Sequence, residues 1–498
     1  MHAYQQKIES PEETACIKST KLETLDKKID FPKVELEFLQ GNGDFKIPLF
    51  VNNEKTNGIF YLEVLYPIDH LPVEDIKYIP TLASTITNLG WAGKDWDQCI
   101  TDCGCIMGDI WGRYCKGFVD QVEDCQKIAR EYQKYNFMDR NWIGISCKAL
   151  SSKAKESVEM LSEIITRMDF ADQKRFDQLL LEIKAEKKSS LVSMGRDYAV
   201  KRAKSSLNTN DAINEIFSGL TQLETIASFE KDSVFVLRKL EEIYQACLKE
   251  GGIIHITADK ESLDKILPLL DSFVKKADIK ELSKAKIHQL DEYLPCIYQS
   301  QDSLGNDCEQ DIQIESQTGY AVTVSPCSGP LTKEALAEMV FAEWFSSHSL
   351  WDKVRTTGGA YGAYASVDSS SQLFTMSSYR DPNPLNTVKV FIEALKEIKS
   401  GKVQISDDDI QKTIVSCYGD AIVPQTARGR GARAFERFIY GVTPELIQRK
   451  LDLLFSLKTE DIRKASDRLY EECKKLYRKV IFCDKSVQTC GKNIRIPL

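Results

Sequence analysis

An arginine and a tyrosine on either side of a glycine pair are the residues of this sequence best suited to chemistry. Arg355 closes a helical pattern, Gly358 and Gly359 follow it, and Tyr361 comes soon after them. Two adjacent glycines permit a tight passage from helix to strand or the close approach of another backbone, as a peptide at an edge strand requires. The guanidinium and the phenol are hydrogen-bond donors that can face one groove and hold a peptide carbonyl.

A second polar segment follows at the end of the next strand-like run. Residues 378–382 are Ser-Tyr-Arg-Asp-Pro, and they supply two further candidate contacts for a substrate. A phosphate loop explains the glycines poorly, because neither a Gly-Lys-Ser/Thr ending nor Gly-x-Gly-x-x-Gly spacing is present. We therefore predict a peptide-binding site that contains Arg355, Gly358, Gly359, Tyr361, Tyr379 and Arg380.

The sequence offers no metal ligands to accompany these donors. None of its five histidines has another histidine three to five residues away, which excludes a two-histidine helical zinc motif. A serine or cysteine nucleophile is not indicated either, since no Gly-x-Ser-x-Gly turn and no caspase-like or papain-like cysteine signature occurs. We expect half of an active site, with no metal held by this chain.

Composition places the chain among ordinary globular proteins. Of its 498 residues, 42% are hydrophobic and 28% charged, and the formal net charge of -8 disfavours nucleic-acid and membrane partners.

The fifteen cysteines contain no Cys-x-x-Cys pair, which indicates free thiols in a reducing compartment. The first residues do not have the composition that we expect of a signal or transit peptide, and no run of about 18 apolar residues occurs. We expect a soluble protein, and the compartment stays open between cytoplasm, mitochondrial matrix and plastid stroma.

Two successive parts of the chain alternate strands and helices in the same order. The first has strand-like runs at 34–38 and 58–66, a helical pattern, a run at 143–147, a long helical region and a closing strand at 251–257. The second has a strand, a helix, two strands, further helices and a last strand. The pattern predicts an α+β fold with two tandem homologous domains, each a mainly antiparallel sheet packed with helices.

The expected domain boundaries follow from this alternation. Residues 1–33 are polar and interrupted by prolines, and we predict a linker or peripheral arm there. The first domain is predicted at 34–264, a lysine-rich connector at 265–310, and the second domain, which carries the arginine and tyrosine, at 311–498. A chain of this length is too long for one hydrophobic core, in agreement with two large domains.

A basic cluster near the start of a later helix has two interpretations. Its arginines could grip phosphates or an RNA strand, or they could pair with the many carboxylates of the chain. The negative net charge favours ion pairs, and we expect no nucleic-acid partner. The sequence leaves open the role of Arg428, Arg430, Arg433 and Arg437.

Two long motifs carry a resemblance to a known family. Residues 350–362 read Leu-Trp-Asp-x-Val-Arg-x-x-Gly-Gly-Ala-Tyr-Gly, and residues 377–382 read Ser-Ser-Tyr-Arg-Asp-Pro. Both resemble signatures of the presequence-protease and falcilysin branch of the pitrilysin/insulinase family of zinc metallopeptidases, and the similarity extends across almost the whole chain. Members of this family consist of four homologous α+β domains in two halves, which enclose a chamber. The chain resembles the C-terminal half, domains three and four.

The resemblance implies that zinc lies in the other half of the enzyme. Members of the family bind zinc in their first half, through an inverted His-x-x-Glu-His motif and a distal glutamate. When the chain is aligned on Gly90, the counterpart of that helix carries Thr81, Ser84 and Thr85 in the positions of His, Glu and His. Hydroxyls cannot replace these ligands, so the first domain resembles a degenerate, zinc-less copy.

The resemblance also implies roles for the arginine and the tyrosine. Arg355 and Tyr361 match the pair that contacts the substrate backbone and steadies the oxyanion beside the zinc. The leading hypothesis is the substrate-binding half of a zinc oligopeptidase that degrades short unfolded peptides, such as targeting peptides, and is inactive without its zinc-bearing N-terminal half. The alternative is a non-catalytic scaffolding or peptide-binding subunit of the same fold. Peptide preference, oligomeric state and whether the two halves share one polypeptide stay open.

Overall fold

Two six-stranded sheets form the framework of the chain. The computed structural model describes residues 20–119, 121–298, 309–475, 478–484 and 492–495. The strands of the first sheet are β1 (Glu35–Gln40), β2 (Lys46–Asn53), β3 (Ile59–Pro67), β4 (Asp109–Cys115), β5 (Trp142–Leu150) and β6 (Ile253–Ala258). Those of the second sheet are β7 (Glu309–Ile314), β8 (Tyr320–Pro326), β9 (Gly362–Asp368), β10 (Leu373–Tyr379), β11 (Arg478–Asp484) and β12 (Lys492–Arg495).

The two sheets share one topology. Their orders are β1-β2-β6-β3-β5-β4 and β12-β7-β11-β8-β10-β9. The pairs β2·β6 and β7·β11 are parallel, and the strands that follow them in each sheet are antiparallel. The outer strands differ, because β1 is antiparallel to β2 whereas β12 is parallel to β7. The predicted α+β fold with two tandem units of one type is confirmed.

Helices cover both sheets. Those between β3 and β7 are α1 (Ile79–Ile86), α2 (Trp96–Ile106), α3 (Glu123–Tyr132), α4 (Ala154–Arg167), α5 (Gln173–Ser193), α6 (Gly195–Lys204), α7 (Thr209–Ser218), α8 (Leu220–Phe229), α9 (Ser233–Lys249), α10 (Lys260–Lys276) and α11 (Leu290–Ile297). Those after β8 are α12 (Lys333–Phe345), α13 (Pro384–Lys399), α14 (Asp407–Ala421), α15 (Ala427–Ile439), α16 (Pro444–Phe455) and α17 (Thr459–Lys475). Among the described helices, none has the length and apolar character needed to cross a membrane.

Local sequence explains where several of these elements form. The central strands β3 and β8 are nearly continuous apolar runs, because neighbouring strands and helices on both faces bury them. Several helices begin at side-chain caps. Asp259 accepts a hydrogen bond from the backbone N–H of Ser262 at the start of α10, and Thr332 accepts one from Ala335 at the start of α12. Such caps satisfy backbone donors that have no partner within the helix.

Each unit places a helix against the sheet of the other unit. Tyr198 of α6 packs in one apolar cluster with Tyr320 and Val322 of β8. In return, the ring of Phe435 on α15 lies 5.0 Å from that of Phe50 on β2. Because the two units share apolar cores in this way, each stabilises the other. The domain boundaries at 34–264 and 311–498 stay a prediction.

Part of the segment predicted as a linker or arm lies against the second unit. Leu22, Leu25 and Ile29 pack on the apolar core formed by the helices of that unit. The ammonium of Lys27 lies 5.3 Å from the centre of the Phe455 ring. Residues 1–19 lie outside the described residues. The described part of the segment thus contributes to the apolar packing of the second unit.

A buried ionic network joins the first sheet to a helix of the second unit. The carboxylate of Glu63 on β3 accepts hydrogen bonds from Arg113 at 2.7 Å and from Ser146 at 3.1 Å, and it lies 3.0 Å from Nδ1 of His255. Arg113 also pairs with Glu436 of α15 at 3.4 Å. Burial alone raises the pKa of Glu63, but Arg113 and His255 outweigh it and hold the pKa below its usual value of 4.5.

The lowered pKa of Glu63 predicts a loss of stability in acid. A carboxyl group whose pKa is lower in the folded state stabilises the fold above its unfolded pKa, and this contribution disappears as the pH falls towards the folded value. We therefore expect the urea midpoint of the natural sequence to fall more than that of Glu63→Gln between about pH 5 and pH 3. The exposed Glu37→Gln on β1 serves as the control. Equal acid sensitivity of all three proteins contradicts this assignment.

Candidate functional site

A π-helix carries the arginine of the predicted site. It spans Ser346–Thr357 and continues α12. Leu350 and Val354 are buried in the core of the second unit, whereas Trp351 is 48% exposed and Arg355 is half-buried. The π-helical turn is wider than an α-helical one, and such turns are frequent at functional sites. The packing of its apolar residues fixes the helix and leaves the guanidinium at the surface.

The Arg355 guanidinium rests on aromatic rings and has no charged partner. Its carbon lies 3.8 Å from the centre of the Trp351 ring and 5.7 Å from that of Tyr361. In the described part of the chain no carboxylate pairs with it, and no acceptor receives a hydrogen bond from it. Stacking orients a guanidinium without using its N–H groups. The donors of Arg355 are therefore available to a ligand.

Tyr361 projects from the start of β9 and is 64% exposed. Its backbone N–H donates to the carbonyl of Tyr379 on the neighbouring strand at 3.0 Å. The two rings meet edge to face with centroids 5.9 Å apart, and the Tyr379 ring lies 5.8 Å from that of Tyr320. The rings of Tyr320 and Tyr379 thus support the exposed ring of Tyr361. Among the described residues, none forms a hydrogen bond with the Tyr361 hydroxyl.

Arg380 completes the second predicted segment. Its guanidinium carbon lies 5.5 Å from the centre of the Tyr379 ring, and its backbone has a positive φ of 46°. The next residue, Asp381, is buried and pairs through its backbone with Gly319 at 2.7 and 2.8 Å. This pairing fixes the bend at which Arg380 leaves the sheet. The structure therefore places the predicted arginines and tyrosines in one connected group.

The glycine pair makes the turn between the π-helix and β9. Gly359 has a positive φ of 82°, and its N–H donates to the carbonyl of Arg355 at 3.0 Å. A Cβ atom on Gly358 would lie 2.6 Å from the carbonyl oxygen of Val354. Both positions thus exclude other residues for physical reasons, one through its backbone conformation and one through lack of space. Direct contact of the glycines with a substrate stays a prediction.

Replacing Gly359 with alanine should lower the stability of the chain by about 1 kcal/mol, because an L-residue at positive φ is strained. The nearest obstacle to the new Cβ is Pro382 at an ordinary 3.5 Å, so the cost is one of backbone conformation. Thermal unfolding measures the effect. Gly104→Ala within α2 meets open space and should stabilise by about 0.5–1 kcal/mol. A stabilising Gly359→Ala would contradict the assigned turn.

Sequence reasoning missed two residues of this surface. Trp351 was predictable from the sequence, because it lies four residues before Arg355 in a helical pattern and side chains with this spacing contact each other on one face of a helix. Nothing in the sequence indicated Arg196, because this residue lies on α6 of the first unit. Its Nε donates to the Ser377 hydroxyl at 2.9 Å, and its guanidinium carbon lies 4.6 Å from the centre of the Tyr364 ring. The first unit therefore supplies a cation to the face on which the tyrosines lie.

The helix matched to the zinc helix, α1, offers no metal site. The Ser84 hydroxyl donates to the carbonyl of Pro80 at 3.2 Å, and that of Thr85 donates to the carbonyl of Thr81 at 2.8 Å. Both hydroxyls are thus occupied by the helix backbone. The described residues contain no group of three or more His, Cys, Asp or Glu side chains that could hold a metal ion. These residues do not fit zinc.

Two arginines of the basic cluster join the units together. Arg430 on α15 pairs with Glu54 at 2.8 Å and with Asp30 at 3.1 Å. The guanidinium carbon of Arg428 lies 4.1 Å from the centre of the Trp111 ring on β4. Ion pairing and stacking within the chain therefore explain these two residues, whereas Arg433 and Arg437 have a different environment.

Two family models match the chain. The model described as Peptidase M16C associated matches residues 1–229, and the one described as PreP C-terminal domain matches residues 335–486. Together they include both sheets in part and the whole segment from Arg355 to Arg380. The order of the two matches is that of the two units in the chain.

Curated relatives and solved structures agree with these models. The chain is 25% identical to presequence protease 1, chloroplastic/mitochondrial, of Arabidopsis thaliana over 92% of its own length and 40% of the relative. The chain is 23% identical to the mitochondrial presequence protease of Xenopus laevis, over 92% of its own length and 44% of the relative. A structure described as the peptidase M16 inactive domain from Pseudomonas fluorescens superimposes with a TM-score of 0.57 at 12% identity, over 92% of this chain and 100% of that one. The chain spans less than half the length of these two curated relatives.

Proposed function

The chain belongs to the M16 peptidase family and corresponds to the C-terminal half of its presequence-protease members, and from this premise we propose that it is the substrate-binding half of a zinc oligopeptidase. Its substrates are short unfolded peptides, such as cleaved targeting peptides. The catalytic zinc belongs to a separate N-terminal half, either a second subunit or another part of the same polypeptide. The chain alone does not hydrolyse peptides.

The observation that carries this proposal is the unpaired guanidinium of Arg355 beside the exposed phenol of Tyr361. Both are donors without a partner in the described part of the chain, and both are held by packing rather than by hydrogen bonds. A peptide carbonyl between them accepts from the guanidinium and the hydroxyl at once. Each donor aimed at a developing oxyanion lowers the barrier by about 3 kcal/mol, whereas a surface arginine stacked for structural reasons stabilises a fold by about 1 kcal/mol.

The surrounding residues support the binding of an extended peptide. Tyr379 and Arg380 add further hydrogen-bond donors at the end of β10, next to Arg355 and Tyr361. The strand β9 is the outermost described strand of its sheet. An edge strand offers backbone groups to a peptide that lies along it. The first unit contributes Arg196 to the same face. The two units together, rather than the second one alone, thus form the proposed binding surface.

The described residues offer no site that fits zinc, and for this reason we assign different roles to the two halves of the enzyme. Threonine and serine at positions 81, 84 and 85 bond to their own helix or stay buried. In our proposal this chain therefore binds and orients the peptide and stabilises charge on its carbonyl oxygen. The proton transfers and the activation of water belong to the other half.

Peptide binding by the purified chain tests this proposal. A fluorescein-labelled, unfolded peptide of targeting-peptide composition is titrated with the chain, and fluorescence anisotropy is measured. We expect saturable binding that Arg355→Ala weakens by about ten-fold, the equivalent of about 1.4 kcal/mol. Lys412→Ala, which removes an exposed cation on α14, should bind as the natural sequence does. Equal binding by Arg355→Ala would favour the scaffolding alternative.

A further inference from the structure

A second cavity lies apart from the predicted site. It has a volume of about 610 Å³ and is lined by residues of α12, α14, α15, α16 and the edge strand β9. Most of its wall is apolar, with contributions from Leu336, Met339, Leu451 and Leu454. None of the six residues of the predicted peptide site lines it. Its size is in the range of small-molecule and short-peptide pockets, about 300–1,000 Å³.

Two arginines of the basic cluster line this cavity without a carboxylate partner. Arg433 and Arg437 are one turn apart on α15. In the described part of the chain neither guanidinium forms an ion pair. Nη1 of Arg433 lies 2.8 Å from the amide oxygen of Gln425, once that amide is oriented to accept, and the Arg437 guanidinium carbon lies 6.0 Å from the Phe31 ring. The nearest partner described for each guanidinium is thus a neutral group.

This arrangement is unfavourable in the absence of an anion. Burial lowers the pKa of Arg437, and the charge of Arg433 lowers it further. Two cations of like sign beside an apolar wall lose hydration and repel each other, and this costs free energy unless a negative charge lies between them. Arginine is also the side chain whose planar donors match a carboxylate in bidentate geometry. The pair has the properties of a receptor for a carboxylate.

The rest of the cavity indicates what carries that carboxylate. The apolar wall accommodates an apolar chain. The other charged residues of the lining are Glu343, Asp420 and Lys450, and neither carboxylate pairs with Arg433 or Arg437, so a carboxylate of the lining can hold an ammonium group of the ligand. Ala365 to Val367 of the edge strand β9 also line the cavity. Carboxylate, apolar body, ammonium and backbone are the parts of a short peptide. A fatty acid has only the first two.

We propose that this cavity binds short peptides that have apolar side chains and a free C-terminal carboxylate, with Arg433 and Arg437 holding the carboxylate. The inference goes beyond the proposed function, because it concerns a second site and does not depend on zinc or on hydrolysis. Peptides of this kind are the products that an oligopeptidase releases, and the cavity lies in the same unit as Arg355. Binding there would keep such products near the enzyme.

Isothermal titration calorimetry of the purified chain with three probes tests the proposal. The probes are a tripeptide of three leucines with a free carboxylate, the same peptide as its C-terminal amide, and decanoate. We expect the free acid to bind saturably, and the amide to bind at least ten-fold more weakly. Arg433→Gln and Arg437→Gln should each weaken the binding of the free acid at least ten-fold. Arg449→Gln removes an exposed arginine of α16 that does not line the cavity, and it should change nothing.

Thermal unfolding separates a binding role from a structural one. Because the two charges are unfavourable in the empty cavity, Arg437→Gln should not lower the unfolding midpoint, and the tripeptide should raise the midpoint of the natural sequence more than that of Arg437→Gln. A lower midpoint of Arg437→Gln would make the arginine structural and overturn the proposal. The proposal is also overturned if acid and amide bind equally, if decanoate binds more tightly than the tripeptide, or if millimolar tripeptide shows no saturable binding.

Discussion

Replacing Arg355 with alanine should lower kcat/KM for peptide cleavage by about 100-fold in the assembly of this chain with its zinc-bearing half. The guanidinium is a free donor next to the position that we assign to the substrate carbonyl, and one oxyanion donor is worth about 10²–10³ in rate. Tyr361→Phe removes a single hydroxyl and leaves the edge-to-face contact with Tyr379. The kcat/KM of the Tyr361→Phe variant should fall at least ten-fold, the equivalent of about 1.4 kcal/mol.

The pattern of the kinetic changes identifies the role. A donor that acts mainly on the transition state lowers kcat, whereas one that only binds the peptide raises KM. Arg355→Lys keeps the charge but loses the planar donor pair, so we expect activity between that of the alanine variant and the natural sequence. Lys412→Ala should match the natural sequence. Turnover that is unchanged in both Arg355→Ala and Tyr361→Phe contradicts the oxyanion role and favours a scaffolding subunit.

The second large effect should be on stability, at a buried ion pair of the first unit. Arg140 is fully buried, and its Nε donates to Asp69 at 2.8 Å while its Nη1 donates to the carbonyl of Ser283 at 2.7 Å. Asp69 also accepts from the backbone N–H of Lys286 at 2.7 Å. Asp69→Asn keeps the shape but leaves the Arg140 charge unpaired. We expect a loss of about 3–5 kcal/mol in the free energy of unfolding, because uncompensated buried charge is costly.

Urea unfolding of Asp69→Asn measures this loss, and an exposed pair gives the comparison. Lys94 and Asp102 are 49% and 42% exposed and lie 2.5 Å apart. Solvent screens such a pair, so Asp102→Asn should lower the urea midpoint far less than Asp69→Asn does. Similar midpoints for the two variants would mean that the buried pair does not hold the predicted connector, residues 265–310, to the first sheet.

The sequence was sufficient to predict the elements with a strong apolar pattern. The runs at 58–66, 319–324 and 479–483 are central strands, and a central strand is apolar on both faces. Four strands were not predicted: β2 contains Pro48, and β4, β7 and β12 carry many polar residues. In β7, Gln310 and Asp311 are buried despite their polarity. Tertiary packing overrode the local pattern there.

The candidate site was largely predictable because it is local in the chain. Arg355, the glycines and Tyr361 lie within one helix-turn-strand segment, so short spacings place them together. Contacts between distant segments gave no sequence signal. Arg196 reaches Ser377 from 181 residues away, and the basic cluster divides into two arginines that join the units and two that line a cavity. Only the packing of α15 between the units distinguishes them.

Cleavage of a quenched unfolded peptide, measured for this chain with and without the zinc-bearing half, tests the central claim most directly. The account predicts no turnover by the chain alone, even with added zinc, because the described residues offer no site that fits the metal. It predicts turnover when both halves are present, and its loss on chelation. Chelator-sensitive cleavage by the purified chain alone would contradict the account.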